Sequence, residues 1–497
     1  MRNLLSKQEY RWYHFIEILT TKNDWVILSD LSSSLDCSDR ILKMDINNLN
    51  ESFEDFQLLT SNKGVKVEYN THYSFKTFCQ KILNISDTYR LLEVVFLNDG
   101  IYAKDCADRL DVSLSTLYRM VDQVNEKVQD SFNFKVETGP CRITGDEESI
   151  RFFFYTYFNE KYRHSDLPFN KKEQEIIDIL TDEFVRLKDF PYDFIYFNIV
   201  RVVGLVNYTR FKNNYKIDTD VNPETIKFLL LNDLKKSPIR GQIEAATQMT
   251  YNEEFIGQVL RPFVNLDAFH SQDVFQKVIE QNTDLSKQIK KLKQVLAVVS
   301  ANNSIPILNI EKLTYAIYNI GVLEYSQPLS RHMLYDRNSF FVNEVKAQFP
   351  EFYKDLYKGI AEYQIFLGRE PSESSINYYI FTIFSWWENL VGELLKKLYQ
   401  INILVISDRH QSHARMMKEY LKFEYGDKVD IHTSDLFFMN TGEFDLSKFD
   451  LIVSSFSDKR LMDNRTIYVG NMLNKTVIKD IQSHIDAILV ERSHTTI

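Results

Sequence analysis

The chain has 497 residues, 44% hydrophobic and 26% charged, with a formal net charge of −10; at roughly 150 residues per domain it should fold as several units in series. With only 14 Gly and 10 Pro, a turn-rich sandwich or propeller is excluded and a mainly helical protein is expected. Cys37, Cys79, Cys106 and Cys141 lack paired or metal-like spacing, so neither a disulfide framework nor a cysteine zinc site is indicated, and a reducing cytoplasm is the simplest compartment.

The amino terminus, MRNLLSKQEYRWYHF, lacks the apolar core of a signal peptide. The oiliest stretches are broken by Arg201, or by Asn377 and Glu388, so no membrane span is expected. The acidic total argues against blanket attraction to nucleic acid or anionic lipid, yet it leaves room for a local basic face.

Residues 27–51, ILSDLSSSLDCSDRILKMDINNLNE, align without a gap on residues 102–126, YAKDCADRLDVSLSTLYRMVDQVNE, at an offset of 75. Asp36 falls on Asp111, Ser38 on Ser113, Leu42 on Leu117, and Asn50-Glu51 on Asn125-Glu126. Each copy reads as a helix-turn-helix. Leu31 and Leu35, or Cys106 and Leu110, face inward on the first helix, and Ser32 or Ala107 is the small residue where the two helices cross. After a tight turn at Asp36-Cys37 or Asp111-Val112, Ser38 or Ser113 caps the second helix by accepting from an unpaired backbone N–H. That helix buries Leu42, Ile46 and Leu49, or Leu117, Val121 and Val124.

Its polar face carries Asp39, Arg40, Lys43 and Asn47 in the first copy, and Ser115, Thr116, Tyr118, Arg119 and Gln123 in the second. Arginine can pair bidentately with guanine, Asn or Gln with adenine, and a helix start offers N–H groups to phosphate. A two-stranded wing is expected after each: FQLLTSNKGVKVEY, with Gly64 at its tip, and FNFKVETGPCRITG, with Gly139-Pro140. They direct Lys63, Lys66, Lys135 and Arg142 toward the DNA backbone. One amphipathic helix pair with a serine cap is common in helical bundles; two copies with wings favour DNA binding. Against this, residues 1–150 hold 17 Lys plus Arg and 24 Asp plus Glu, so binding should rest on a few placed cations, deformable DNA and more than one module per assembly.

From about 161 to 398 the pattern is helical, with prolines near the joints, an Asn222-Pro223 helix start, and a break at NNSIP that divides it into two bundles. No catalytic constellation stands out. His164, His270 and His332 are far apart, and each is most simply a surface or hydrogen-bonded histidine. His332, in PLSRHMLYDRNSFF, is the most suggestive: an exposed imidazole there could accept a phosphoryl group near Arg331 and Arg337.

After Tyr399 the period changes. INILVIS, VDIHTS, FDLIVSSF and TIYVG read as strands, with a helix through Met416, Met417 and Leu421 and a last one from about Lys475 to Glu491, giving a small parallel α/β domain. The loop leaving its first strand, SDRHQSH, has neither Gly nor Cys. His410 and His413 there lack further ligands for a metal.

This order, and most specifically the paired motifs at Ser32 to Glu51 and Ala107 to Glu126 together with ILVIS, resembles the Mga/AtxA family of transcriptional regulators of Gram-positive bacteria over essentially the whole chain. The resemblance implies winged helix-turn-helix units at 1–72 and 73–160, phosphotransferase-system regulation domains at 161–300 and 301–398, and an enzyme IIB-like domain at 399–497. It further implies control of virulence or carbohydrate genes, promoter DNA as partner, homodimerisation through the tail, contact with phosphocarrier proteins, no cofactor and no enzymatic activity. Regulation domains typically carry a histidine before a helix arginine. If Arg210 is that arginine, the matching position is Val203, which cannot be phosphorylated. Where IIB proteins have a phosphoryl-accepting cysteine, ILVIS leads to Ser407, so no phosphotransfer by the tail is expected. The main rival is a phosphotransferase-linked interaction protein that does not touch DNA; an RNA-binding antiterminator fits the paired motifs less well.

Overall fold

A computed structural model describes the chain apart from residues 163–166, 187–193, 219–238, 265–271, 326–331, 434–444, 462–463, 471 and 496–497. The expected helix start at Asn222-Pro223, together with His164, His270 and Arg331, lies outside the described residues. The architecture is mainly helical, with two small hairpins and one four-stranded parallel sheet.

The amino-terminal part begins with α1 (Lys7–Lys22), opened by a reciprocal cap in which Glu9 N–H donates to Ser6 Oγ and Ser6 N–H to the Glu9 carboxylate. There follow α2 (Leu28–Ser34), α3 (Asp39–Ser52), β1 (Phe56–Ser61) and β2 (Gly64–Tyr69). After α4 (Phe75–Ile85) and α5 (Asp87–Leu97) the pattern repeats in α6 (Ala103–Leu110), α7 (Leu114–Phe132), β3 (Phe134–Thr138) and β4 (Cys141–Gly145). Both hairpins are antiparallel, with Phe56 opposite Tyr69 and Phe134 opposite Gly145.

The repeat holds at atomic detail. Asp36 and Asp111 both adopt left-handed backbone, at φ 46° and 57°. In both turns an N–H closes on the carbonyl five residues back, Cys37 on Ser32 (3.0 Å) and Val112 on Ala107 (3.1 Å), which satisfies an otherwise orphaned helix carbonyl. Each wing also gains a third, one-residue strand, through the bridges Val26 to Val65 and Ile101 to Cys141. At Gly64, φ is 120° and a Cβ would stand 2.0 Å from the Val26 carbonyl oxygen, so the first wing closes only around glycine.

Two compact units emerge, Met1–Val299 with Asn309–Trp386, and Ser300–Leu308 with Trp387–Ile497. In the first, α8 (Glu147–Lys161) leaves the second wing almost wholly buried and packs on α10 (Phe194–Lys212), which in turn packs on α9 (Lys171–Arg186). One apolar core runs without interruption from Leu4 through both helix-turn-helix motifs, along Phe153, Phe154 and Phe158, into Leu180, Val206 and Val259, and ends at Met333 and Leu334. Farther along the chain are α11 (Ile239–Thr247), α12 (Glu253–Val259), α13 (Gln272–Gln281), α14 (Thr283–Asn303), α15 (Ile310–Tyr325), α16 (Arg337–Gln348), α17 (Pro350–Phe366) and α18 (Glu373–Trp386).

The second unit has α19 (Leu390–Tyr399), β5 (Ile401–Ile406), α20 (Gln411–Tyr425), β6 (Val429–Thr433), β7 (Leu451–Ser454), β8 (Thr466–Tyr468) and α21 (Lys475–Thr495). The strand order is β6-β5-β7-β8, all parallel. β5 is buried along nearly its whole length, as its continuous run of aliphatic residues dictates. The segment before Asn309 belongs here: the indole N–H of Trp387 donates to the Pro306 carbonyl at 3.1 Å.

Candidate nucleic-acid interface

Helices α3 and α7 start on serine caps, Ser38 accepting from Ile41 N–H (3.4 Å) and Ser113 from Thr116 N–H (3.1 Å). Ser113 Oγ also meets Ser115 Oγ at 2.9 Å and Thr116 Oγ1 at 2.8 Å, so these three hydroxyls form a cluster at the start of α7. The first turn of α7 contains no acidic residue, whereas α3 begins with Asp39. The partial positive charge of a helix start is therefore free to face phosphate on α7 and is partly cancelled on α3.

On α3, Arg40, Lys43 and Asn47 are exposed along one helical row. On α7, Ser115, Arg119 and Gln123 form an exposed row with Tyr118 beside it, and Thr116 is half-buried. Arg40, Lys43 and Arg119 form no ion pair with any described residue. The copies differ at a telling place: Met44, 56% exposed, occupies the position that Arg119 fills in the second motif. An exposed apolar side chain suits a thymine methyl, and an arginine suits guanine or phosphate, so the two helices offer chemically different surfaces.

The wings behave differently from the helices. Lys66 Nζ lies 3.6 Å from Glu68, Lys135 Nζ 3.1 Å from Glu137, and Arg142 Nε 3.9 Å from Asp99. The Glu137 carboxyl sits below its ordinary range because Lys135 and Thr144 hydrogen-bond to it. Lys135 and Arg142 are both exposed on the solvent side of the second wing, but each already has an acidic neighbour. Lys63, at the first wing's tip, is exposed.

Two side chains that residue-by-residue reading left without a role hold these helices in place. Asn50 accepts from Leu58 N–H (2.8 Å) and donates to Leu58 O (3.2 Å); Asn125 accepts from Val136 N–H (2.7 Å) and donates to Val136 O (2.9 Å). Each asparagine thus mimics a strand partner and clamps its exposed helix to its wing. Their shared place in the repeat was the available signal. In the first copy alone, buried Asp45 ties α3 to α1, accepting from the Arg11 guanidinium (2.5 and 3.1 Å) and the Trp12 indole (2.8 Å). No motif pointed to it.

His332 is not the exposed imidazole expected from its polar surroundings. Its side chain is 20% exposed and lies 3.6 Å from Asp336. Burial, the largest cause, pulls its pKa below the ordinary value, against the pull of Asp336. The reason is a clasp behind it: Glu160, at the end of α8, accepts the backbone N–H groups of Met333, Leu334 and Tyr335 at 2.6, 2.9 and 2.9 Å, drawing Met333 and Leu334 into the core. Val203 is buried, and Arg210 pairs with a carboxylate of α8 rather than with any histidine: its Nη2 is 2.6 Å from Glu147. In the other unit Ser407 is buried and its Oγ is 2.8 Å from His413 Nδ1. Among the described residues no three His, Cys, Asp or Glu side chains are grouped so as to hold a metal ion, and no helix is long and apolar enough to cross a membrane.

Two capped helix-turn-helix motifs, each with a wing and an exposed second helix, make this a helix-turn-helix regulator. Three family models match successive parts of the chain. They are the M protein trans-acting positive regulator (MGA) HTH domain at 6–65, the Mga helix-turn-helix domain at 71–158, and the M protein trans-acting positive regulator (MGA) PRD domain at 172–390. Over 484 residues, 96% of this chain and 97% of the relative, it is 24% identical to a protein of Streptococcus pneumoniae serotype 4 described as a trans-acting regulator. It is also 25% identical to the capsule synthesis positive regulator AcpB of Bacillus anthracis over 177 residues, and 25% identical to AcpA of the same organism over 179; these matches cover 35% of this chain and 36% and 37% of those proteins. The chain belongs to the Mga/AtxA family of transcriptional regulators, and its matched domains are regulatory rather than catalytic.

Proposed function

We propose that this is a cytoplasmic, homodimeric activator that binds promoter DNA through its first 150 or so residues, with α7 as the principal reader and Arg119 as its leading base or phosphate contact. The observation that carries this reading is the pair of exposed, capped helices whose cations Arg40, Lys43 and Arg119 have no ion-pair partner among the described residues, while Lys66, Lys135 and Arg142 on the wings do. Ser38 and Ser113 fix the helix starts. Asn47, Ser115, Thr116, Tyr118 and Gln123 supply further polar contacts, and Lys135 and Arg142 approach phosphate from the wing.

The PRD match supports a link to the sugar phosphotransferase system, with phosphocarrier proteins as partners. Similarity to capsule regulators supports virulence or surface-polymer genes as targets. The α/β unit, with Ser407 in place of a thiol, serves dimerisation rather than phosphotransfer. Genome-wide recovery of bound DNA followed by footprinting tests the whole reading. Arg119→Ala should weaken footprint binding by about 1–3 kcal/mol if it contacts a base; a folded variant that binds unchanged removes that assignment. The rival, an interaction protein that never touches DNA, draws support from the excess of acidic residues in the amino-terminal third. It predicts no footprint on any upstream sequence.

A further inference from the structure

The second wing is held from behind by the first helical bundle, and the hold converges on Arg142. Arg210, at the end of α10, donates to the Ile143 carbonyl at 3.1 Å, the residue next to Arg142 on β4. The same guanidinium grips Glu147 at the start of α8 and lies 3.6 Å over the ring of Tyr215. Arg151 donates to the Tyr215 carbonyl at 2.9 Å and to Gln258 Oε1 at 3.0 Å, and Gln258 donates to Ile217 O at 2.6 Å, so the segment after α10 is anchored on two sides. From this platform the Tyr215 hydroxyl donates to Asp99 Oδ1 at 3.0 Å.

Asp99 is the acidic neighbour of Arg142. Its second oxygen lies 3.9 Å from Arg142 Nε, with Asp99 12% and Arg142 49% exposed. Gly100, next to Asp99, has φ 82°, a left-handed backbone that favours glycine. A half-exposed wing arginine beside a carboxylate cannot give its full charge to a DNA phosphate without first leaving that carboxylate.

We infer that the first bundle sets DNA affinity by positioning Asp99 against Arg142, withholding the wing's guanidinium from phosphate until Tyr215 and Arg210 shift. This rests on the DNA-binding reading above and adds the route by which a regulatory domain reaches the interface. Asp99 and Tyr215 are positioning residues, and Arg142 is the group that meets the phosphate.

The test uses the full-length chain and the footprinted duplex. Asp99→Asn keeps an acceptor for the Tyr215 hydroxyl but removes the charge facing Arg142. It should tighten binding about threefold to tenfold and steepen the dependence of log affinity on log salt by about one, the signature of one more phosphate contact. Tyr215→Phe, which releases Asp99 from its anchor, should shift both in the same direction but less. In an Arg142→Ala background both gains should vanish, which a merely structural effect of either substitution would not produce. Unchanged affinity and salt slope in Asp99→Asn, or gains that persist without Arg142, overturn the inference; an inert Tyr215→Phe overturns the bundle's part in it. Absence of any footprint with the unaltered chain is a separate result and defeats the DNA reading itself.

Discussion

Replacing Glu147 by Gln should loosen the junction between the second wing and the first bundle more than any surface substitution could. Its carboxylate is 12% exposed and is shared by two guanidinium groups, Arg151 Nε at 2.9 Å and Arg210 Nη2 at 2.6 Å, which are 5% and 3% exposed. Two buried cations thus rely on one anion. Burial, the largest cause, already pulls the Arg151 pKa below its ordinary value, against the pull of Glu147. Removing one partner from a buried pair costs about 3–5 kcal/mol, because the uncompensated charge stays behind. Glutamine matches the shape and keeps one acceptor, so the lower end, about 3 kcal/mol, is expected. Arg210→Met should cost less, since it leaves Glu147 and Arg151 as a neutral pair, and the double variant should be strongly non-additive. A chain with two units need not unfold in one step, so the readout should be local: hydrogen exchange of the β4 and α8 amides, alongside urea unfolding. A loss below about 1 kcal/mol in Glu147→Gln, in the range of ordinary surface changes, would refute the view that this cluster holds the junction.

Asn125→Ala removes two hydrogen bonds at once and leaves the Val136 N–H and carbonyl without partners. A cost of about 1–3 kcal/mol is expected, with weaker DNA binding as α7 loosens from its wing, and thermal melts with the footprint assay check both. The pH dependence of stability should carry the mark of Glu160. Burial pushes its pKa from 4.5 up to about 7, against the pull of its three backbone donors. The folded chain therefore keeps a proton that the unfolded chain releases between these values, and Glu160's contribution is lost as pH rises through about 7. His332, held below its ordinary value, acts oppositely and costs stability as pH falls below about 6.5. Glu160→Gln should abolish the first slope and keep the second; an unaltered pH profile in urea unfolding would show that the clasp does not titrate.

What could be read from residue order was whatever depends on near neighbours. The spacing of Leu42, Ile46 and Leu49 or Leu117, Val121 and Val124, the caps at Ser38 and Ser113, and turns at Asp36 and Asp111 are all settled within one or two helical turns. The 75-residue repeat therefore announced two helix-turn-helix motifs, and the aliphatic run of β5 announced a buried parallel strand. The repeat also placed Asn50 opposite Asn125, though their grip on the wings appeared only once β1 and β3 had folded back beside them.

Other features depended on partners distant in sequence. Arg210 meets Glu147, 63 positions away in the sequence, Tyr215 meets Asp99, 116 away, and Glu160 captures the backbone just after His332, more than 170 away. Those distances explain why Arg142 looked like a free cation and His332 like an exposed one. A side chain's type and local period fix what it can bond to, but a continuous core spanning the DNA-binding motifs and the bundle decides which groups desolvation forces together. Local order thus specified the two exposed helices, and only tertiary packing determined which of their neighbouring charges are already paired.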